Sequence, residues 1–183
     1  DLLVARDGSG WWNLIRFVNA DLRDATDPLL GEPLLAMEAE FGAPRWVAGM
    51  ATTAWDGDQL LAAACRQGSW ELGRLRAPAD DSQPQWSWHP LPVPFSDWAE
   101  LSADQGRLVA IASAPQTMAG LLEVDLRADR WTHTPVAPCP LRPEEISRPE
   151  TLWFVGASGE PTHAWFYPPR GGARPDRDRK STR

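Results

Sequence analysis

Two cysteines in 183 residues are too few for a disulfide framework. Cys65 falls in the apolar run Leu60–Cys65 and reads as a small core residue, while Cys139 stands between prolines in a loop. Reduced thiols and a cytoplasmic setting are the expectation. No apolar run approaches the ~18 residues needed to cross a bilayer, so no membrane partner is expected. There is no secretory signal pattern. The chain opens with Asp1-Leu2-Leu3-Val4-Ala5, already inside a strand pattern, and is expected to be cut from something longer. Basic charge is short too: 18 Lys and Arg face 25 Asp and Glu, a net charge of −7, which disfavours a nucleic-acid partner. That deficit is uneven. Residues 170–183 hold six basic and two acidic side chains, a local +4, and read as a solvated, disordered tail. Long helices are excluded by eighteen prolines and fourteen glycines, which cut the chain into short pieces.

Tryptophan is abundant, with eleven against one tyrosine and five phenylalanines. One tryptophan motif recurs. Gly10-Trp11-Trp12-Asn13-Leu14-Ile15-Arg16-Phe17 returns 58 residues later as Gly68-Ser69-Trp70-Glu71-Leu72-Gly73-Arg74-Leu75. Each copy alternates apolar and polar residues after a glycine turn, the pattern of a half-buried strand behind a tight hairpin. A strand-turn unit returning at such a period predicts stacked β-modules, of which the propeller blade is the commonest. One complete module is read from Arg45–Trp55, Gln59–Cys65, Ser69–Leu75 and Gln85–Val93, with turns at Asp56-Gly57-Asp58 and Arg66-Gln67-Gly68. A second is read from Trp98–Ser102, Arg107–Ala112, Gly120–Leu126 and Arg130–Val136, with its first turn at Ala103–Gly106. Before them Asp1–Arg6, Gly10–Val18 and Glu32–Met37 make a partial module. The fold expected is all-β: a partial β-propeller of about two and a half four-stranded antiparallel blades over residues 1–136. An extended segment and hairpin follow over 137–169 (Glu150–Val155 and Thr162–Tyr167), then the tail from 170. Closed propellers have 4–8 blades, so such an arc needs further blades, a partner or an oligomer to cover its faces.

Few groups are placed for chemistry. His89, His133 and His163 come with no nucleophile and carboxylate in a triad context. The nearest approach to a Gly-x-Ser-x-Gly elbow, Gly156-Ala157-Ser158-Gly159-Glu160, fails at its last glycine and sits in a hairpin turn. Neither Cys-x-x-Cys nor His-Glu-x-x-His occurs, so no metal or other cofactor is expected. Asp56-Gly57-Asp58 has two acids of a calcium loop but not the rest, and reads as a hairpin turn. Trp12, Trp70, Trp86 and Trp131 recur at strand positions and read as blade core. Trp86 and Trp88 share one face of an outer strand, which makes them the aromatic pair to inspect for ligand stacking.

The hairpin carries a family likeness. Ile146-Ser147-Arg148-Pro149-Glu150-Thr151-Leu152-Trp153-Phe154 and Gly159-Glu160-Pro161-Thr162-His163-Ala164-Trp165-Phe166-Tyr167-Pro168-Pro169 resemble the propeller-to-hydrolase junction of the prolyl oligopeptidase family of serine peptidases. The dipeptidyl aminopeptidase/acylaminoacyl-peptidase branch is the most similar. Gly10-Trp11-Trp12-Asn13-Leu14 and Glu40-Phe41-Gly42-Ala43-Pro44-Arg45-Trp46 resemble blade segments of that branch. The resemblance implies a non-catalytic propeller that gates and contacts short peptide substrates for an α/β-hydrolase domain. That domain would hold the whole catalytic triad, downstream of the junction and absent from this chain. No catalytic residue is therefore assigned here. In aminopeptidase members, propeller glutamates hold the free amine of the substrate; Glu38 and Glu40 are the candidates for that role, against the alternative of a solvated acidic loop. The competing expectation for the whole chain is a stand-alone β-repeat module that binds protein or glycan without enzymatic activity.

Overall fold

The computed structural model describes residues 2–17, 31–43, 50–79 and 86–170. It is built of antiparallel sheets, and the helical structure among the described residues is a single 3-10 turn at Pro143–Glu145. The first sheet holds β1 (Leu2–Arg6), β2 (Asn13–Phe17) and β3 (Glu32–Pro33). The second orders β4 (Thr53–Asp56), β5 (Gln59–Arg66), β6 (Ser69–Arg76) and β7 (Ser87–Pro90) in sequence. The third orders β8 (Asp97–Asp104), β9 (Arg107–Ala114), β10 (Thr117–Asp125) and β11 (Arg130–Pro135) in the same way. A separate hairpin pairs β12 (Glu150–Val155) with β13 (Pro161–Phe166). Two four-stranded meanders beside a three-stranded partial one make the arc of propeller blades that the recurring motif predicts.

The sheets stack face to face, and β5 is the strand that explains how. Its side chains alternate by the two-residue period of a strand. Leu60, Ala62 and Ala64 enter the core shared with the first sheet, where Leu14, Leu34, Ala39 and Phe41 meet them. Leu61 and Ala63 enter the core shared with the third sheet, against Trp98, Leu101, Leu108 and Leu122. A strand covered on both faces has no polar alternation, which is why Leu60–Cys65 reads as a continuous apolar run. The tryptophan motif repeats the same packing one blade on: Leu14 lies in the first core and Leu72 in the second. Gly10 and Gly68 both adopt positive φ (87° and 76°), the left-handed turn conformation that glycine adopts without steric cost.

Several boundaries differ from the sequence reading. β3 stops at Pro33 instead of continuing to Met37. Leu34 N–H still reaches the Leu14 carbonyl of β2 at 3.0 Å, but beyond it the buried Asn13 amide takes over the Met37 backbone, accepting its N–H at 2.8 Å and donating to its carbonyl at 2.9 Å. β8 runs through Ala103 to Asp104, so the turn is shorter than Ala103–Gly106. Within β8 the register shifts between Ala99 and Ser102, and Glu100 has φ 56°. That bulge turns the Leu101 N–H towards the Ala51 carbonyl of the neighbouring segment, at 3.1 Å. Residues 45–49 of the expected strand Arg45–Trp55, Gln85 and the tail from 171 lie outside the described residues. No helix among the described residues is long and apolar enough to cross a membrane.

Candidate functional site

Two side chains hold adjacent blades in register. The Asp56 carboxylate, at the end of β4, accepts the N–H of Gly106 in the next blade's turn, at 3.0 Å to each oxygen. Asp56-Gly57-Asp58 is thus a hairpin turn whose first acid ties two blades. Arg74 of β6 donates through Nη2 to the Leu126 carbonyl at 2.6 Å and to the Asp129 carboxylate at 2.7 Å. Its guanidinium is largely enclosed while Asp129 is half exposed.

The candidate glutamates flank the buried Ala39. The two bonds from Asn13 to Met37 and a longer one to the Ala39 carbonyl (3.4 Å) fix this loop against β2. Glu38 is exposed. Glu40 is half-buried; its backbone bridges Cys65 (2.9 and 2.8 Å), and its Oε2 accepts the Trp12 N–H at 2.7 Å. Glu40 therefore supports the tryptophan turn, and the two carboxylates are not equivalent. The sequence reading missed Asn13, the residue that presents both. The signal was a polar residue inside an otherwise apolar strand start.

The histidines stand in three unrelated settings. His89 Nε2 lies 2.9 Å from Ser87 Oγ on exposed β7. Residues two apart on a strand share a face, so this contact needs no catalytic reading. His133 packs on Phe95 with ring centroids 4.7 Å apart, and its Nε2 lies 3.1 Å from the Ala112 carbonyl. His163 is flanked by Trp153 and Trp165 at 5.0 and 5.3 Å. Among the described residues no three His, Cys, Asp or Glu side chains converge on a metal site. Cys65 and Cys139 are both free thiols, and burial pushes the Cys65 thiol up from its ordinary pKa.

Trp88 of β7 and Trp86 just before it are partly buried and pack against the first core. Trp86 meets Trp55 edge to face at 6.4 Å, and Trp88 meets Phe41 in the same way at 5.6 Å. Gly73 lies so close under the Trp88 ring that a Cβ there would sit 2.5 Å from it. Trp70 packs against the second core, whereas Trp131 rests on Phe95 and stays 40% exposed.

The hairpin is anchored by one side chain of the β9–β10 turn. Gln116 donates through Nε2 to the Pro143 carbonyl at 2.8 Å and more distantly to that of Ile146 (3.5 Å). Its Oε1 accepts the Arg148 Nε–H at 2.7 Å. Ser147 Oγ bonds the Pro168 carbonyl, and Arg170 Nε donates to the Ile146 carbonyl at 2.8 Å, which closes the base of the hairpin. A cleft of about 390 Å³ opens between the blade turns and this base.

No protein-family model and no curated protein matches the sequence. Solved structures do. A puromycin-hydrolysing peptidase of Mycobacterium tuberculosis matches 91% of the chain with a TM-score of 0.72 and 27% identity, over 26% of its own length. A puromycin hydrolase matches 92% with a TM-score of 0.70 and 28% identity, over 24% of its length. A serine-to-alanine mutant of puromycin hydrolase, complexed with PGG, matches 92% at 0.71 and 27%, again over 24% of its length. The chain spans about a quarter of the structures it matches.

Proposed function

We propose that this chain, which is the propeller portion of a peptidase of the prolyl oligopeptidase family, serves as the non-catalytic part that gates and contacts peptide substrates for an α/β-hydrolase domain. The observation that carries the proposal is the hairpin. Leu152, Trp153, Phe154, Val155 and Phe166 alternate between its two faces, yet each is 45–74% exposed. A lone two-stranded hairpin is marginal in water, and apolar residues on both faces suit burial under a further domain. The propeller ends at Val136, whose N–H still reaches the Ala119 carbonyl at 3.0 Å, and residues 137–169 form the joint. Further blades cover the open face of the third sheet. Glu38, exposed on the loop that Asn13 fixes, receives the substrate amine, with Glu40 behind it. Two free thiols are compatible with a cytoplasmic setting. Dipeptidyl aminopeptidase or acylaminoacyl-peptidase action belongs to the whole enzyme. The purified chain is expected to leave peptide p-nitroanilides uncleaved, and the reading frame beyond Arg183 to encode a Gly-x-Ser-x-Gly elbow. Turnover that scales with this chain alone would overturn the proposal.

A further inference from the structure

We propose that the cleft at the base of the hairpin binds a free carboxylate carried on a small peptide, with Arg148 as the anchor. Ser69, Ser96, Gln116, Thr117, Arg148 and Trp165 contribute its polar and aromatic lining. Among the described residues no carboxylate lines it, in a chain whose net charge is −7. Two acids adjoin the lining in sequence: Asp97, after Ser96, whose carboxylate accepts the Ser113 hydroxyl at 3.2 Å, and Glu150, after Pro149, which is exposed at the start of β12.

Arg148 is exposed, but it is not loose. Its Nε–H is taken by Gln116 Oε1 at 2.7 Å, and the Gln116 amide is itself held by the Pro143 carbonyl at 2.8 Å. A hydrogen bond at Nε restricts how the guanidinium can turn. Its terminal nitrogens are then a planar fork, the geometry that matches a carboxylate with two parallel hydrogen bonds. Pinning before binding removes much of the side-chain ordering cost that a surface arginine otherwise incurs. Gln116 is thus a positioning residue. Trp165 closes one wall; its indole lies so near Gly68 that a Cβ there would sit 2.6 Å from Nε1. A flat apolar wall beside a cationic fork suits the last residue of a peptide, with its backbone against the ring and its carboxylate on Arg148. The hydroxyls of Ser69, Ser96 and Thr117 add donors and acceptors for the adjoining amide.

The choice of a peptide as ligand rests on the peptidase reading, but the test does not involve hydrolysis. N-acetyl-glycyl-glycine and its C-terminal amide are titrated against the whole chain by calorimetry, and the indole N–H of Trp165 is followed by NMR. The carboxylate form is expected to bind about tenfold more tightly than the amide and to shift the Trp165 resonance. Arg148→Ala should reduce the carboxylate to the amide's level. Arg148→Lys keeps the charge but lacks the fork, and should lose most of the preference. Gln116→Ala keeps Arg148 and should still weaken binding several-fold. If that variant fails to fold, the two Arg148 variants decide the matter. Equal binding of acid and amide, no binding of either, or unchanged affinity in Arg148→Ala would overturn the proposal. A reading frame without a hydrolase domain would remove the peptidase reading and leave the binding result standing.

Discussion

β5 and β9 occupy equivalent places in adjacent blades, and they differ in what lies over them. β5 is buried on both faces between its neighbours. β9 is buried on one: Leu108, Ala110 and Ala112 are 0–2% exposed, while Val109 and Ile111 on the other side are 37% and 39% exposed. Ile111 pairs directly with Leu121 of β10, itself 44% exposed, while Glu123 stands opposite Val109 and Asp125 opposite Arg107, so the open side sets an apolar patch beside charged residues. Composition does not separate the two strands; the neighbour does. Blade sequences are thus written for a stack, and an end blade keeps the pattern of an interior one.

The largest test of that contrast is truncation on each strand. Leu61→Ala, at a fully buried site of β5, should lower the unfolding free energy by about 2–5 kcal/mol in urea titration. Ile111→Ala on the open face of β9 should cost about 1 kcal/mol or less. Comparable losses would mean that the open face is covered in solution. A smaller effect separates the turn acids. Asp56→Ala leaves the buried Gly106 N–H without its acceptor and should cost about 1–2 kcal/mol. Asp104, at the matching turn of the third sheet, reaches only the side chain of its neighbour Gln105 among the described contacts. Asp104→Ala should change stability by about 0.5 kcal/mol or less in the same titration.

The smallest effect is in pH dependence. Backbone N–H groups of Ala128 and Arg127, both at 3.0 Å, lower the pKa of the half-exposed Asp125 carboxyl. A carboxylate whose pKa falls on folding stabilises the folded state above the unfolded value and loses that contribution as the pH drops through the folded one. Unfolding midpoints measured across the acid range should therefore fall slightly more steeply for the native chain than for Asp125→Asn. Matching slopes would remove Asp125 from the account.

How far these features could be read beforehand depends on their range in sequence. The hairpin turns were legible because Asp-Gly and Gln-Gly pairs announce them locally, and the stacked leucines because the motif returned with its alternation intact. The bulge at Glu100 carries no glycine or asparagine; it exists because Leu101 bonds Ala51 of another segment, a contact without a local mark. The shortening of β3 likewise follows from Asn13, more than twenty residues away in sequence. At the candidate site, Glu38 and Glu40 look alike in the sequence, and the long-range contacts of Glu40, to the Trp12 N–H and to the Cys65 backbone, distinguish them. Gln116, which holds the hairpin base, stood in a turn with no motif around it. Trp86 and Trp88 share a face by the strand period, and that face packs against the first core and is not left open for a ligand.

Amide hydrogen exchange on the intact chain tests most directly whether this is a stacked arc bearing a hairpin made for another domain to cover. The account predicts slowest exchange in β5 and β6, intermediate protection in β9 and β10, and rapid exchange along β12 and β13. Protection of β12 and β13 equal to that of β5 would contradict it.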